Sequence, residues 1–394
     1  MSSQKIALML DAGFASLPLQ QAVKTAGFRT LVCSGKAHDA GMLTADAVCI
    51  QNYADSEAVL AIAHEHKITA LLPGVTDVSY LSGCRVAHAL GLPGFDTPDV
   101  SDTIFLKDKF RAWALRKGLP VPQAAWNAEQ ARRLTLPLLV KPVDAYSGNG
   151  ITKVTDWTML EAAIETARNA SPGKQYVVEN FCEGALYSHS AFIRNGEIVC
   201  EFFVDEYCTV YPWQVNSSSL SQKLSPEIRD SVSECMQSIV SDLQLVDGLL
   251  HTQFIASEGR FWLIELTRRC PGDLYSRLIE LSTGVAYADG FVSPFLGKSL
   301  PVMPRRPVQK RSIARHTVSV NRPMRFTGFA FKPLPADLIE VIPLTSPGSL
   351  VGPAPSDRAG LIFAEFRDNA TLLQMTPQLK DYFSLNAYEG HSDV

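Results

Sequence analysis

The 394-residue chain is 46% hydrophobic and 19% charged, with a formal net charge of -4 and a pI near 6.1. This length exceeds what one hydrophobic core usually holds, so two or three lobes are expected, and no basic stripe marks a nucleic-acid or anionic-membrane partner. The cysteines form no CxxC pair and no Cys/His cluster at zinc-ligand spacing, "MSSQKIALML" lacks a long apolar core, and no apolar run reaches the roughly 18 residues of a membrane span, so reduced thiols in a cytoplasmic protein are expected.

Residues 1–98 alternate strands and helices: "KIALML", a helix through "LPLQQAVKTAG", "RTLVCS", "AVCI", a helix through "SEAVLAIAHEHK", then "ITALLPG". Such βαβ alternation predicts a Rossmann-like parallel sheet covered by helices. The turn "DAGFAS" echoes a dinucleotide fingerprint only in part, since the GxGxxG glycines are missing and Ser34 ends the second strand where an acid would hold a ribose. Thr76 and Asp77 follow a strand's carboxyl end, where parallel sheets place ligands, though a plain helix N-cap explains them equally well.

"GLPGFDTPDVSD", residues 91–102, is a Gly/Pro/Asp-rich joint. Beyond it "KDKFRAWALRKG" is a predicted helix ending at Gly118, "LPLLVKPV" a buried strand carrying one lysine, and "DAYSGNG" a flexible turn. A helix from Trp157 to Asn169 and the strand "QYVVENF" complete a small α+β lobe, residues 121–184. A helix from Pro226 to Leu243 precedes the hairpin "LHTQFIAS" and "RFWLIEL", joined at Glu258-Gly259. From residue 301 to 394 short strands between Pro/Gly turns predict a small antiparallel C-terminal unit, after a central domain over 99–300.

Four pieces fit a nucleotide triphosphate together. Lys109 lies on the helix after the joint, and Lys141 sits in an apolar strand, where an ammonium is costly unless an anion meets it. In "DAYSGNG", Ser147, Gly148 and Gly150 let backbone N–H groups approach phosphate oxygens, although no Gly-Lys-Ser/Thr ends it as in a P-loop. Glu179 and Glu183 in "VVENFCEG" offer carboxylates to an adenine edge and ribose hydroxyls. The hairpin brings Gln253 and Glu265 onto neighbouring strands, and Thr267 and Arg269 share the face of Glu265 by strand periodicity, an oxygen set of the kind magnesium takes beside phosphates. Taken singly, each piece also reads as an ordinary turn, surface acid or ion pair.

In order and spacing, "KDKFRAWALRKGLPVP", "LLVKPVDAYSGNGI", "VVENFCEGALYS" and "HTQFIASEGRFWLIELTRRCPGD" resemble the ATP-grasp superfamily, in the branch with an N-terminal pre-ATP-grasp domain. "HTQF" and "ELTRRCPGD" look most like its amino-acid (carboxylate-amine) ligases. The resemblance covers about Lys5 to Gly297. It implies two lobes clasping ATP, with Lys109 and Lys141 on the phosphates, Glu179 and Phe181 at adenine and Glu183 at ribose. It further implies magnesium, or manganese in its place, on Gln253, Glu265 and Thr267, and Arg269 at the reacting centre. The implied reaction joins a small-molecule carboxylate to an amine through an acyl phosphate, with Arg268, Asp273 and His251 as candidate substrate contacts and a homodimer as one assembly open to it.

This chain departs from the family where a second glutamate usually stands at Gln253 and an asparagine at Thr267, and an acid is absent at Ala185 and Leu186. Loss of one negative charge predicts weaker magnesium binding or a single ion held largely by ATP. Two other readings remain open: a carboxylation or nucleotide-precursor ligation, against which stand the short glycine-rich cover and the lack of a biotin-accepting Met-Lys segment, and a nucleotide-binding protein without turnover. "YPWQVNSSSLSQK", with Tyr187, Ser188 and His251, is either an acceptor-pocket lining or an ordinary surface loop.

Overall fold

The computed structural model describes residues 5–145 and 148–386. The opening segments form a parallel sheet in the order β3-β2-β1-β4, from β1 (Ile6–Leu10), β2 (Arg29–Ser34), β3 (Ala47–Ile50) and β4 (Ala70–Pro73). The connections are α1 (Leu17–Thr25), α2 (Ala40–Thr44) and α3 (Ser56–Glu65), and α4 (Asp77–Leu90) follows β4. The turn after β1 supplies its own anion: the Asp11 carboxylate accepts the N–H of Gly13 at 2.8 Å and of Val75 at 3.0 Å. The Gly13 amide that a phosphate on this turn would need is therefore already satisfied.

After α5 (Pro98–Phe105) and α6 (Lys107–Arg116) comes a small antiparallel sheet, β5-β8-β6-β7, made of β5 (Ala124–Ala125), β6 (Leu138–Pro142), β7 (Thr152–Val154) and β8 (Tyr176–Asn180). Helix α7 (Ala128–Ala131) follows β5. Helix α8 (Leu160–Ala170) buries Leu160, Ala163, Ile164 and Ala167, an i, i+3, i+4, i+7 stripe, in the same core as Leu138, Val140 and Val178.

The large sheet has eight strands in the order β13-β12-β9-β10-β11-β14-β19-β17. Its centre is a long hairpin, β9 (Ala185–Arg194) and β10 (Glu197–Tyr207), that the sequence pattern does not anticipate. Ser188, His189, Ser190, Glu201, Asp205 and Glu206 break the apolar alternation, yet all six are buried. The hairpin's turn was legible: Asn195-Gly196 takes φ 51° and 77°, the left-handed pair that favours an Asn-Gly turn. Strand β11 (Ser217–Leu220) and helix α9 (Pro226–Leu243) follow; Ser225 caps the helix by accepting the N–H of Ile228. The predicted hairpin of β12 (Gly248–Ser257) and β13 (Arg260–Thr267) turns at Glu258-Gly259, and α10 (Tyr275–Thr283) and α11 (Tyr287–Val292) lead out of it.

The strands after residue 300 extend this sheet rather than standing apart. Strand β14 (Ser312–Val318) pairs with β11, and β19 (Gly360–Phe366) and β17 (Ala336–Pro343) continue outward. Two short pairs, β15 (Met324–Arg325) with β18 (Leu350–Val351) and β16 (Phe329–Phe331) with β20 (Phe383–Leu385), and α12 (Asn369–Met375) complete it. Among the described residues no helix is long and apolar enough to cross a membrane.

Arg268 is corrected from a substrate candidate to a structural tie. Its Nε donates to Asp96 at 2.7 Å, and Nη1 and Nη2 donate to the carbonyls of Leu249 and Val246, also at 2.7 Å. Successive strand side chains point to opposite faces, so Arg268 leaves on the side away from Arg269. Asp96, in the joint, also accepts from Tyr80 Oη and the Val246 N–H, locking the first sheet's α4 to the large sheet. Both side chains of the pair are 2% exposed. Asp96→Ala strands the buried guanidinium and is expected to cost about 3–5 kcal/mol, read as a shifted midpoint in urea denaturation.

Candidate active site

The metal end of the site is a row of side chains across paired strands. Gln253 on β12 lies directly opposite Glu265 on β13 and opposite Ser188 on β9, while His251 faces Thr267. Among the described residues the Glu265 carboxylate makes no hydrogen bond or ion pair, which leaves its oxygens available, and Thr267 Oγ1 accepts only the Arg269 N–H at 3.2 Å. A carboxylate, an amide and a hydroxyl on one face form an all-oxygen set that fits magnesium when phosphates and water complete the shell. No three His, Cys, Asp or Glu side chains cluster at metal-holding distance among the described residues, in keeping with a single carboxylate here.

Arg269 crosses to the first domain. Its Nε donates to Asp77 at 2.8 Å, at the start of α4. Burial works against its charge, but Asp77 and then Glu265 outweigh that and raise its pKa further, so it stays a cation. Thr76 is the N-cap of α4, accepting the Ser79 N–H at 3.2 Å, so of the two readings of this pair capping belongs to Thr76 and the cleft to Asp77.

The lysines rearrange the expectation. Lys109 points outward to Asp102 at 2.8 Å, with its side chain 49% exposed, so the structure corrects its placement on the phosphates. Two positions along a helix is about 200° of rotation, and it is Lys107 that lines the cleft with Asp77, Glu265, Thr267 and Arg269. Lys107 Nζ donates to the carbonyls of Ala145 at 2.8 Å and Val143 at 3.4 Å, at the root of the glycine-rich turn.

Lys141 is buried, as its apolar strand implied, and its Nζ meets Glu179 at 2.7 Å. Arg111 holds the other oxygen of Glu179 at 2.8 Å and donates to the carbonyls of Leu263 and Ile264 at 2.9 and 3.0 Å. Burial alone would raise the Glu179 pKa, but the two cations outweigh it and hold the carboxyl below its ordinary value. Glu179 is 1% exposed, which corrects its expected role: its carboxylate orients Lys141 instead of facing an adenine amino group. Arg111 went unnoticed because a helical arginine in "KFRAWALR" carries no local sign that it is buried.

Gly148 and Gly150 both adopt positive φ, 73° and 74°. A Cβ on Gly148 would lie 2.4 Å from Cβ of Trp213, and one on Gly150 2.3 Å from Cβ of Ala170, so close packing as well as backbone conformation demands glycine. Ser147 lies outside the described residues. Phe181 is partly buried with Lys153 Nζ 3.7 Å above its ring, and Glu183 is exposed at the strand end.

Beyond the metal row the same sheet face carries a polar floor. Glu206 on β10 lies opposite Ser218 on β11, and Ser218 opposite Arg315 on β14. Ser188 Oγ donates to Glu206 at 2.7 Å, and Arg315 ion-pairs with Asp273 and donates to its carbonyl at 2.9 Å. Burial, then repulsion from Asp273, pushes the Glu206 carboxyl up to about 7 against the pull of Arg315. His251 is buried with Nδ1 2.6 Å from Ser190 Oγ; burial, then Arg269, lowers its pKa to about 3, so it is neutral at pH 7 and packed in the floor. Glu206, Arg315 and Asp77 were absent from the expected chemical set or weighed only as caps.

Comparison with known proteins agrees with this geometry. Residues 134–276 match the family model described as an ATP-grasp domain. The chain is 26% identical over 254 residues to the carbamoyl phosphate synthase large chain of Vibrio parahaemolyticus, covering 62% of this chain and 23% of that protein. It is 51% identical over 185 residues to a D-alanine–D-alanine ligase of Nocardia farcinica, covering 42% of this chain and 48% of the ligase. The chain thus spans about a quarter to a half of the length of these relatives. Among solved structures, an L-amino acid ligase from Bacillus licheniformis superposes with a TM-score of 0.79 over 99% of this chain and 100% of that one, at 17% identity, a likeness of fold.

Two outcomes test the site. Lys107→Ala should weaken ATP binding in calorimetry by roughly 10- to 100-fold, while Lys109→Ala changes it by less than about threefold. Because the folded Glu206 keeps its proton to higher pH than the unfolded chain, stability falls as pH rises from 4.5 to about 7. Glu206→Gln removes that contribution, so thermal melts from pH 5 to pH 8 should show a smaller loss of Tm than the parent protein.

Proposed function

Because residues 134–276 of this chain are an ATP-grasp domain, we propose that the protein is an ATP-dependent carboxylate-amine ligase, forming a dipeptide-like amide and releasing ADP and phosphate. The observation that carries this reading is the single face bearing Gln253, Glu265 and Thr267, with Arg269 and Lys107 on the same cleft. Glu265, with Gln253 and Thr267, would hold magnesium, or manganese in its place. When bound, the ion supplies charge neutralisation for the phosphates of ATP.

The chain's own groups do the rest. Lys107 and Lys141 draw the triphosphate into the cleft, and Arg269 offsets charge on the transferring phosphoryl group. A carboxylate oxygen of the first substrate attacks the γ-phosphorus, the bond to the β-phosphate oxygen breaks, and ADP leaves. The amine nitrogen then attacks the acyl carbon, and phosphate departs with the electron pair of the C–O bond while the nitrogen loses its proton. Phosphorylation comes first because it makes the carboxylate oxygen a good leaving group. The names of the Bacillus licheniformis and Nocardia farcinica proteins, both ligases of amino acids, support this branch over a carboxylase.

Incubation with ATP, magnesium and pooled amino acids should release ADP and phosphate, and Glu265→Ala should abolish that release with circular dichroism unchanged. Gln253→Glu should tighten magnesium binding. Bound ATP without turnover in any pool would sink the ligase reading and favour a nucleotide-binding protein that does not catalyse.

A further inference from the structure

Arg358, on the segment leading into β19, is a cation with no acid of its own. It is partly buried; Nη1 donates to the Gly272 carbonyl at 3.2 Å, and it forms no ion pair among the described residues. The neighbouring Asp357 is turned away, accepting the Gly352 N–H at 2.7 Å. Burial lowers the Arg358 pKa, and the nearby Asp273 charge offsets that only in part, so the guanidinium stays short of negative charge.

The residue after Gly272 is Asp273, whose oxygens are unequally used. Oδ2 is held by Arg315, whereas Oδ1 is buried without any hydrogen-bond partner. A buried carboxylate oxygen left unpaired is costly unless something else meets it. Arg358 is therefore a partly compensated cation bonded to the peptide next to Asp273, an acid that keeps one oxygen without a hydrogen-bond partner among the described residues. A cation and a free acceptor in one loop have the polarity that the carboxylate and ammonium of a free amino acid would meet.

The loop that carries Asp273 begins at Arg269, and both residues act electrostatically on the buried His251, so Asp273 stands beside the reacting centre. Gly272 itself packs on Val75, two residues before the Asp77 that holds Arg269. We propose that Arg358 and Asp273 form the acceptor subsite of the ligase, taking a zwitterionic α-amino acid with its amino group at Asp273 and its carboxylate on Arg358. The proposal rests on the ligase reading. The subsite is built from the C-terminal strands as well as the ATP-grasp domain, and a simple amine lacking a carboxylate leaves Arg358 unmet.

The test compares the proteinogenic α-amino acids with their carboxamides as acceptors, in the full chain and in Arg358→Gln, which keeps a donor for Gly272. In the parent protein the acids should have a KM lower than their amides by roughly 10- to 100-fold, a ratio that Arg358→Gln should bring close to one while the KM for ATP is unchanged. Arg358→Lys should restore part of the preference. An acid-to-amide ratio that survives in Arg358→Gln, or a parent protein that uses both equally, overturns the assignment. If the parent releases no ADP with any acceptor, the ligase reading fails separately. Calorimetric binding of the same acids and amides with ADP and magnesium present then decides the subsite, since equal binding in parent and variant rejects it.

Discussion

The buried carboxylate of Glu179 is the point on which the two lobes are aligned. Taking one acid and two cations out of water costs several kcal/mol for each ion, and that is recovered only when every donor and acceptor finds a partner. Much of this is recovered here: Lys141 and Arg111 each take one oxygen, and Nη1 and Nη2 of Arg111 donate to the carbonyls of Leu263 and Ile264. The residue after Ile264 is Glu265. One guanidinium on α6 thus fixes the small lobe's lysine and the backbone next to Glu265 in a common frame. Among the described residues of the glycine turn, the Gly148 carbonyl accepts the Tyr211 hydroxyl at 3.3 Å and Gly148 packs on Trp213.

Much of this was legible from the chain and some was not, for physical reasons. The β12–β13 hairpin, with Glu265 at the mouth of an apolar strand, reads correctly because turn chemistry and strand period agree. The burial of Lys141 reads correctly because a lysine in "LLVKPV" has to be met by an anion; the expected anion was phosphate, and the one present is Glu179. Lys107 and Lys109 are two apart on one helix, and in "LKDKF" no local rule says which faces the cleft; that depends on how α6 docks. The central strands β9 and β10 were missed because their buried serines, histidine and acids mimic surface composition. Only the Asn195-Gly196 turn gave them away.

Those same residues explain why the sheet looks polar where it should look apolar. A row running from Glu265 through Gln253 to Ser188, with Glu206, Ser218 and Arg315 beyond it, occupies the inner face of six strands. A core built only for stability would fill this face with aliphatic side chains, since isolated polar groups there lose more in desolvation than they regain. Here the network is nearly complete, the exceptions including Oδ1 of Asp273 and Nε of Arg315. Both lie where the loop from β13 meets the C-terminal strands. The strands after residue 300 therefore do more than cover an edge: Arg315 enters the same floor as the metal row, and the site has walls from all three parts of the chain.

Charge in the cleft is largely settled before any ligand arrives. Lys141 is matched by Glu179, and Arg269 by Asp77. Among the described residues, the groups left over are Lys107, which donates to carbonyl oxygens, and Glu265, whose carboxylate makes no hydrogen bond or ion pair and acts on Arg269 only through its field. Because Arg111 shares Glu179 with Lys141, these described groups sum to a small net positive charge, poorly suited to hold a divalent ion on its own. Gln253 has the same consequence, since an amide oxygen can ligate a cation without neutralising it. On the proposed ligase reading, such electrostatics would favour joint entry of ion and nucleotide, the phosphate oxygens supplying the negative charge that these described groups lack.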